Sequence, residues 1–284
     1  MSRIVPDLVR WAIADLREAG VPSPEHDAWA LLEHATGLDR SRLLTLATQC
    51  PGDVAGVEEF ESYVGRRRQR EPLQHITGRA HFRSLTLAVG PGVFVPRPET
   101  EVVVEAALRA ARQVSQPRVV DLGTGSGAIA VAIATELSVS SVHAVEADPA
   151  AHAWAVRNCA ATGVDLRCGD MDSAFDDLDG TVDVVVSNPP YIPLGATVRD
   201  PEVAVHDPPA ALWSGPDGLD AIRVVERVAF RLLRPGGTVV VEHADVQGRS
   251  APAVFRRGRW DQVSDHQDLA GRDRYLTATR AAAA

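Results

Sequence analysis

The stretch RVVDLGTGSGAIAVAIATEL, residues 118–137, decides the fold. Its first five residues form a short apolar run of strand character. Gly123, Gly125 and Gly127 follow at once, and from Ala128 the pattern becomes helical. Glycines at a strand-to-helix turn let the backbone approach a ligand closely, and the next helix offers its free N–H groups there. The same letters satisfy a loose G-x-G-x-x-A dinucleotide pattern ending at Ala128, so a nicotinamide or flavin cofactor is a rival reading of the loop alone.

Downstream the alternation continues. SVHAVEA (141–147) reads as a strand, PAAHAWAVRNCAATG (149–163) as a helix, VDLRCGD (164–170) and VDVVVSN (182–188) as strands. LDAIRVVERVAFRLLRPGG (219–237) is a helix with a glycine stop, TVVVEH (238–243) a strand, and RWDQVSDHQDLAGRDRYLTATR (259–280) two strands around a loop. The expectation is an α/β fold, a doubly wound, mostly parallel sheet of seven strands with helices on both faces.

Upstream, residues 1–70 carry helical periodicity and no strand signal. Ile4, Val5, Leu8, Val9, Ala12, Ile13 and Leu16 form one stripe, stopped by Gly20. Ser23 before Pro24 predicts an N-cap, and Asp39 a cap for a third helix. DVAGVEEFESYVGRRRQR predicts a fourth helix, its arginine-rich end read as a solvated face that complements the helix dipole. Trp11 and Trp29 are expected in the bundle core. Residues 71–92 read as a β-hairpin linker, and residues 93–284 as the catalytic domain.

With 284 residues and 45% hydrophobic content, the chain can bury one large core and a small second one. The formal net charge of −9 argues against a nucleic-acid partner recognised by a global basic field. All 29 cationic residues are arginine. No run of 18 apolar residues exists to span a membrane, and the N-terminal residues have no signal-peptide pattern. Cys50, Cys159 and Cys168 have no metal-ligand spacing and read as buried free thiols of a cytoplasmic protein. The tail TRAAAA reads as frayed.

Chemistry gathers at the strand ends, where open α/β sheets bind ligands. Glu146 ends the second strand and suits ribose hydroxyls. Asp170 ends the third, where it either reaches an adenine amino group or caps the next helix. VVVSNPPYIP (184–193) runs from strand into Asn188-Pro189-Pro190-Tyr191. Neither proline can donate to a ladder, so the strand must stop there. The Asn188 side chain and the Pro189 carbonyl offer two acceptors on a stiff backbone, and Tyr191 adds a flat face. That set suits a planar group bearing NH₂. Orienting both N–H bonds and stabilising charge on nitrogen would assist attack on an activated carbon, so no catalytic His or Cys is expected. His75, His81, His206 and His243 accordingly read as structural or surface residues. The competing readings of the tip are a proline-rich ligand for another domain and a mere strand stop.

Taken in order, EPLQHITG, FVPRPETE, DLGTGSG, VSNPPYIP, GPDGLDAIR, LLRPGG and DLAGRDR resemble the peptide chain release factor glutamine methyltransferases, the PrmC/HemK family of class I S-adenosylmethionine-dependent methyltransferases. The resemblance implies a Rossmann-like methyltransferase sheet with a small helical domain for the protein substrate. It implies methylation of the amide in the Gly-Gly-Gln motif of class 1 release factors, with S-adenosyl-L-methionine as donor and S-adenosyl-L-homocysteine as product. By position, Gly123, Thr124, Gly125, Ser126 and Gly127 would hold the methionine part of the donor and Glu146 its ribose. Asp170 and Met171 would lie at the adenine, and Asn188 would border the donor. Asn188, Pro189 and Tyr191 would be catalytic, with Pro190, Arg97 and Glu99 joining them around the substrate amide. The PRPETE segment, with Arg97, Glu99 and Thr100, resembles the family's pocket-roofing stretch; it reads equally as a proline turn and helix N-terminus with Glu99 and Glu101 near the dipole. The chain departs from the family pattern at Glu146, where Asp is usual, at Met171, where a larger residue is common, and at Ala244, where Gly is usual. The alternatives are an adenine N6 methyltransferase on DNA or RNA, a glutamine methyltransferase of a ribosomal protein, a dinucleotide oxidoreductase, and an inactive binding module.

Overall fold

A computed structural model describes residues 4–48, 53–137, 141–256 and 258–282. The chain divides into two compact units, one of residues up to Arg79 together with Val198–His206, the other of Ala80–Thr197 and the residues from Asp207 onward.

The first unit is helical: α1 (Val5–Glu18), α2 (Pro24–Thr36), α3 (Arg40–Thr48), α4 (Val57–Arg68) and α5 (Leu73–Thr77). The stripe of α1 buries Val5, Leu8, Val9, Ala12 and Leu16 against Leu31, Leu32, Leu43 and Phe60. Asp39 caps α3, its Oδ1 accepting from the Arg42 amide at 2.8 Å. Ser23 occupies the N-cap of α2, but its side chain makes no capping bond; Pro24, whose missing N–H suits the first turn, starts the helix instead. Trp11 meets Phe60 edge-on at 6.0 Å, and Trp29 lies under the Arg40 guanidinium at 4.8 Å. Both indoles are half-buried at the rim of this core.

The arginine-rich end of α4 corrects the reading of a solvated face. Arg67 is 4% exposed and donates to Asp27 at 2.7 Å, to the Glu71 carbonyl at 2.9 Å and to Glu202 at 2.7 Å. Periodicity could not show this, because the partners come from α2 and from a segment more than 130 residues away.

The second unit begins as a hairpin, β1 (Arg79–Phe82) and β2 (Leu85–Ala88), followed by α6 (Glu101–Ala111). The short α5 precedes this hairpin within the stretch read as a linker. Then come β3 (Arg118–Leu122), α7 (Ala128–Glu136), β4 (Ser141–Glu146), α8 (Pro149–Cys159), β5 (Asp165–Cys168) and β6 (Val182–Ser187). After β6 the chain joins the helical unit for Val198–His206, which includes α9 (Pro201–His206). It returns to form α10 (Asp220–Leu232), β7 (Leu233–Glu242), α11 (Ser250–Phe255), β8 (Trp260–Gln267) and β9 (Asp273–Arg280). The helix α10 ends at Leu232, before the Pro-Gly-Gly that had been read as its stop, and β7 starts at once as Leu233 pairs with Val182.

The seven strands run in the order β5-β4-β3-β6-β7-β9-β8. β5, β4, β3, β6 and β7 are parallel, and β9 returns antiparallel between β7 and β8. Alternate side chains serve opposite faces. Val119, Val184, Val186 and Val240 pack with α6 and α7, whereas Val120, Leu122, Val185, Val239 and Val241 pack with α10 and α11. A sheet covered on both sides needs continuous apolar runs, which is why VDVVVS is buried at every residue. Of the thiols, Cys159 is buried and Cys168 is exposed at the edge strand β5, a correction to the expected burial; Cys50 and part of the C-terminal tail lie outside the described residues. Of the histidines, His75 and His243 are buried and His81 is exposed. Among the described residues, no helix is long and apolar enough to cross a membrane.

Replacing Arg67 with Ala strands Asp27 and Glu202 beside each other. The expected loss is roughly 3 kcal/mol, read by denaturant unfolding, with the Asp27→Ala/Arg67→Ala double variant losing less than the sum of its singles.

Candidate active site

The β3–β6 register sets Asp121 opposite Val186, so the two chains leave the sheet together. The Ser187 hydroxyl donates to the Leu122 carbonyl at 2.7 Å, tying the start of one turn to the start of the other. The glycine loop then doubles back, with the Gly123 and Thr124 amides both donating to the Val145 carbonyl at 3.0 and 2.9 Å. Gly123, Gly125 and Gly127 all have positive φ, at 71°, 59° and 85°, where a side chain would be strained. A Cβ on Gly127 would crowd Cys159 and Ala155, whereas one on Gly123 or Gly125 would meet nothing within 4 Å. Gly127 thus serves packing, and Gly123 and Gly125 leave open space beside the backbone.

Glu146 knits this loop together. Its Oε2 accepts from the Gly125 amide and its Oε1 from the Asp148 amide, each at 2.8 Å. Asp170 is exposed and caps a 3₁₀ turn over Met171–Ser173, accepting from the Asp172 amide at 2.9 Å. Met171 is half-buried against the apolar cluster beneath α10.

The Asn188-Pro189-Pro190-Tyr191 tip is held from several sides. Asn188 Nδ2 donates to Thr100 Oγ1 at 3.3 Å. The Tyr191 hydroxyl donates to Glu242 Oε1 at 3.3 Å, and the Tyr191 carbonyl accepts from Gln247 Nε2 at 3.1 Å. Ile192 exchanges backbone bonds with Leu212 and Ser214 at 2.8 and 2.9 Å. Gly218 explains part of the GPDGLDAIR segment: at φ 74° it lies so close that a Cβ would come within 2.4 Å of the Tyr191 carbonyl. With the tip so anchored, Asn188 Oδ1 and the Pro189 carbonyl accept no hydrogen bond among the described residues.

In the PRPETE segment, a 3₁₀ turn over Pro98–Thr100 leads into α6. Arg97 stacks on Phe94 at 5.0 Å and donates to Asp207 at 2.9 Å, while Glu99 is exposed. The residue of this segment that touches the tip is Thr100, which the family resemblance groups with Arg97 and Glu99 in the stretch roofing the pocket. Asp121, Asn158 and Glu242 are the residues that sequence reasoning passed over. Asn158 joins the hairpin to the glycine loop, donating to the Ala88 carbonyl at 2.9 Å and the Ser126 carbonyl at 2.8 Å. A carboxylate inside a run such as RVVDL or TVVVE is the only sequence signal that could have flagged Asp121 and Glu242.

Both buried carboxyls are perturbed. Burial pushes Asp121 up to about 7, against the Thr124 hydroxyl that donates to it at 2.5 Å. Burial also pushes Glu242 up to about 7, opposed by Thr100, Arg274 and Tyr191 and reinforced by Glu99. Burial next to Glu242 drives the Tyr191 phenol upward, so it remains a donor at neutral pH.

Comparison with known proteins identifies the family of the chain. Residues 7–78 match the PrmC N-terminal domain family and residues 85–201 the methyltransferase small domain family. A release factor glutamine methyltransferase of Streptomyces coelicolor is 54% identical over 96% of this chain and 97% of its own. One of Mycolicibacterium smegmatis is 47% identical over 95% and 96%. A 4-amino-L-phenylalanine/4-methylamino-L-phenylalanine methyltransferase of Streptomyces pristinaespiralis is 45% identical over 78% of this chain and 77% of its own. A Pyrococcus furiosus methyltransferase of known structure shares the fold, with a TM-score of 0.53 and 18% identity over 76% of this chain and all of its own.

Asp121 gives a pH signature in stability. Its folded-state value lies above that of an unfolded Asp, so its contribution is complete at acid pH and is lost as pH rises through about 7. Asp121→Asn is expected to flatten the fall in stability between pH 5 and 7 by up to about 1.4 kcal/mol per pH unit, measured by denaturant melts across that range.

Proposed function

Because this chain belongs to the release factor glutamine methyltransferase family, we propose that it methylates the side-chain amide nitrogen of the glutamine in the Gly-Gly-Gln motif of class 1 peptide chain release factors, with S-adenosyl-L-methionine as donor. One observation carries this reading: two open acceptors, Asn188 Oδ1 and the Pro189 carbonyl, stand on a rigid tip beside an open glycine turn. A primary amide has two N–H bonds to give, one to each acceptor.

The loop fits the donor. Open space at Gly123 and Gly125 admits a ligand against the backbone, while Thr124, bonded to Asp121, and Ser126 are buried between them. Glu146 accepts one backbone bond on each oxygen, and each keeps a second lone pair for ribose hydroxyls. When bound, the donor supplies an activated methyl carbon: the amide nitrogen bonds to it, the sulfur keeps the pair of the broken C–S bond, and one N–H proton is released.

The protein's own part is orientation and charge. An amide nitrogen is a weak nucleophile because its lone pair is delocalised. Asn188 and Pro189 hold both N–H bonds, aim the nitrogen, and meet the positive charge that grows on it. Tyr191 is held by Glu242 and Gln247 and packs against the apolar cluster beneath α10; in this reading it closes the substrate side of the tip, and Pro190 keeps the backbone stiff. Arg97, paired with Asp207, and the exposed Glu99 border the substrate. The helical unit serves recognition of the protein substrate, and the cytoplasm is where that substrate is met. The net charge of −9 disfavours DNA or RNA as the recipient. The Streptomyces pristinaespiralis relative is named for an amine on a free amino acid; the release factor enzymes match this chain across both units, which favours a protein substrate.

Incubation with labelled donor and a release factor should label the factor and spare its Gln→Ala variant. Preferential label on adenine-containing nucleic acid or on free 4-aminophenylalanine would overturn the assignment. Asn188→Ala is expected to lower turnover by about 10²–10³-fold while calorimetric donor affinity stays within about threefold. A collapse of donor binding instead would make Asn188 a donor residue.

A further inference from the structure

We propose that Gln247 is a positioning residue for the methyl transfer, holding the main chain of the Asn188–Tyr191 tip so that the Pro189 carbonyl keeps its aim at the substrate amide. This rests on the reading of Asn188 Oδ1 and the Pro189 carbonyl as the two acceptors for that amide. Proline fixes φ but leaves ψ free. The ψ of Pro189 is the rotation that swings its carbonyl, so the two prolines alone do not aim it. The next anchor along the chain has to. From Pro189 to Tyr191 the main chain makes one hydrogen bond among the described residues: the Tyr191 carbonyl accepts from Gln247 Nε2 at 3.1 Å.

The surroundings of the Gln247 amide allow it one orientation. Nε2 faces three carbonyls, those of Tyr191 at 3.1 Å, Gly218 at 3.3 Å and Asp217 at 3.4 Å. Oε1 accepts from the Ala244 amide at 3.0 Å. Carbonyls only accept and an N–H only donates, so a flipped amide would set like against like at every contact. The residue is 4% exposed, which leaves little water to compensate a lost bond. Gly218 makes the junction possible, because a Cβ there would come within 2.8 Å of Gln247 Nε2 as well as 2.4 Å of the Tyr191 carbonyl. Three separate stretches, the tip, the GPDG turn and the turn after β7, therefore meet on one side chain.

The anchor is itself fixed from behind. The Gln247 main-chain amide donates to the Ala244 carbonyl at 2.8 Å, so side chain and main chain grip Ala244 in both senses. The same carbonyl lies 2.9 Å from His243 Nδ1, which must carry the proton because a carbonyl only accepts. His243 Nε2 lies 2.8 Å from Asp265 on β8, and the His243 amide donates to the Arg274 carbonyl on β9 at 2.9 Å. The turn after β7 is thus tied to both strands beyond it, and Gln247 passes that rigidity to the tip. The titratable groups around it have other partners or face water: Asp217 pairs with Arg223, Glu242 with the Tyr191 hydroxyl, Asp273 with Gln267, and Asp245 is exposed. The Gln247 amide itself meets only neutral main-chain groups, so a carboxylate in its place would be unmatched.

The test compares Gln247→Glu, Ala244→Pro and the double variant, with Asn188→Ala as the reference for the underlying reading. Gln247→Glu keeps the shape and turns acceptors toward acceptors. Ala244→Pro removes only the N–H that fixes Oε1, at a residue whose φ of −66° proline already adopts. At about pH 8 each single variant is expected to lower kcat at least about tenfold, with donor Kd and release factor KM within about threefold of wild type. The double variant should be no worse than the poorer single, because both break one chain of bonds. Burial among neutral groups raises the introduced carboxyl's pKa, and its protonated form can donate to the Tyr191 carbonyl again. The kcat of Gln247→Glu relative to wild type should therefore recover at least about threefold between about pH 8 and 6, which a role in packing alone would not produce. The proposal is overturned if either single variant keeps wild-type kcat, if either loses donor affinity in step with kcat (an unfolded variant included), if the losses multiply, or if the acid recovery is absent. An active Asn188→Ala enzyme would instead remove the reading on which the proposal stands, and would be seen whatever the Gln247 and Ala244 variants do.

Discussion

The parallel pairing of β3 with β6 is the constraint on which the rest of the molecule depends. With Asp121 opposite Val186, the last ladder bonds of both strands fall at the same level, and two very different turns emerge side by side. One turn has glycine at alternate positions and takes positive φ at each of them; the other is half proline and bends hardly at all. Ser187 bonded to the Leu122 carbonyl is the physical joint between them. A slip of one residue would turn every valine of β6 to the wrong face.

Stiffness at the tip has a purpose that mobility would defeat. Two acceptors hold an NH₂ group usefully only if their separation and direction are set before it arrives, since ordering them afterwards would consume the binding free energy. The prolines limit the backbone, and the bonds from Ile192, Tyr191 and Asn188 limit the remainder. Gly218 belongs to the same scheme, because only a residue without a side chain lets that segment close against the Tyr191 carbonyl.

Buried charge recurs in both units with different consequences. In the helical unit, Arg67 joins Asp27 and Glu202 and so ties the segment Val198–His206 to α2 and α4. Six residues of chain, 192–197, separate that segment from the tip. In the α/β unit, Asp121 and Glu242 lie at strand ends where burial opposes their ionisation. Asp121 accepts from Thr124 and Glu242 from Tyr191, so each carboxyl steadies one of the two turns.

The amino-acid sequence by itself determined the local grammar. Apolar runs of five or six residues ending in glycine or proline specify buried strands and their stops, and helical stripes such as that of α1 specify a buried face. These signals are local because backbone sterics and side-chain periodicity act over a few residues. The glycine loop and the Asn188–Tyr191 tip were legible for the same reason. What only the tertiary structure decided are the partnerships. Ser23 looked like a cap and makes no capping bond; Arg67 looked solvated and is buried; Glu146 is already bonded to its own loop. Thr100 and Glu242, 142 positions apart in the chain, carry no local pattern that marks them as neighbours. Each meets the tip separately, Thr100 at Asn188 and Glu242 at Tyr191, and only once β7 lies beside β6 and the turn before α6 reaches the tip.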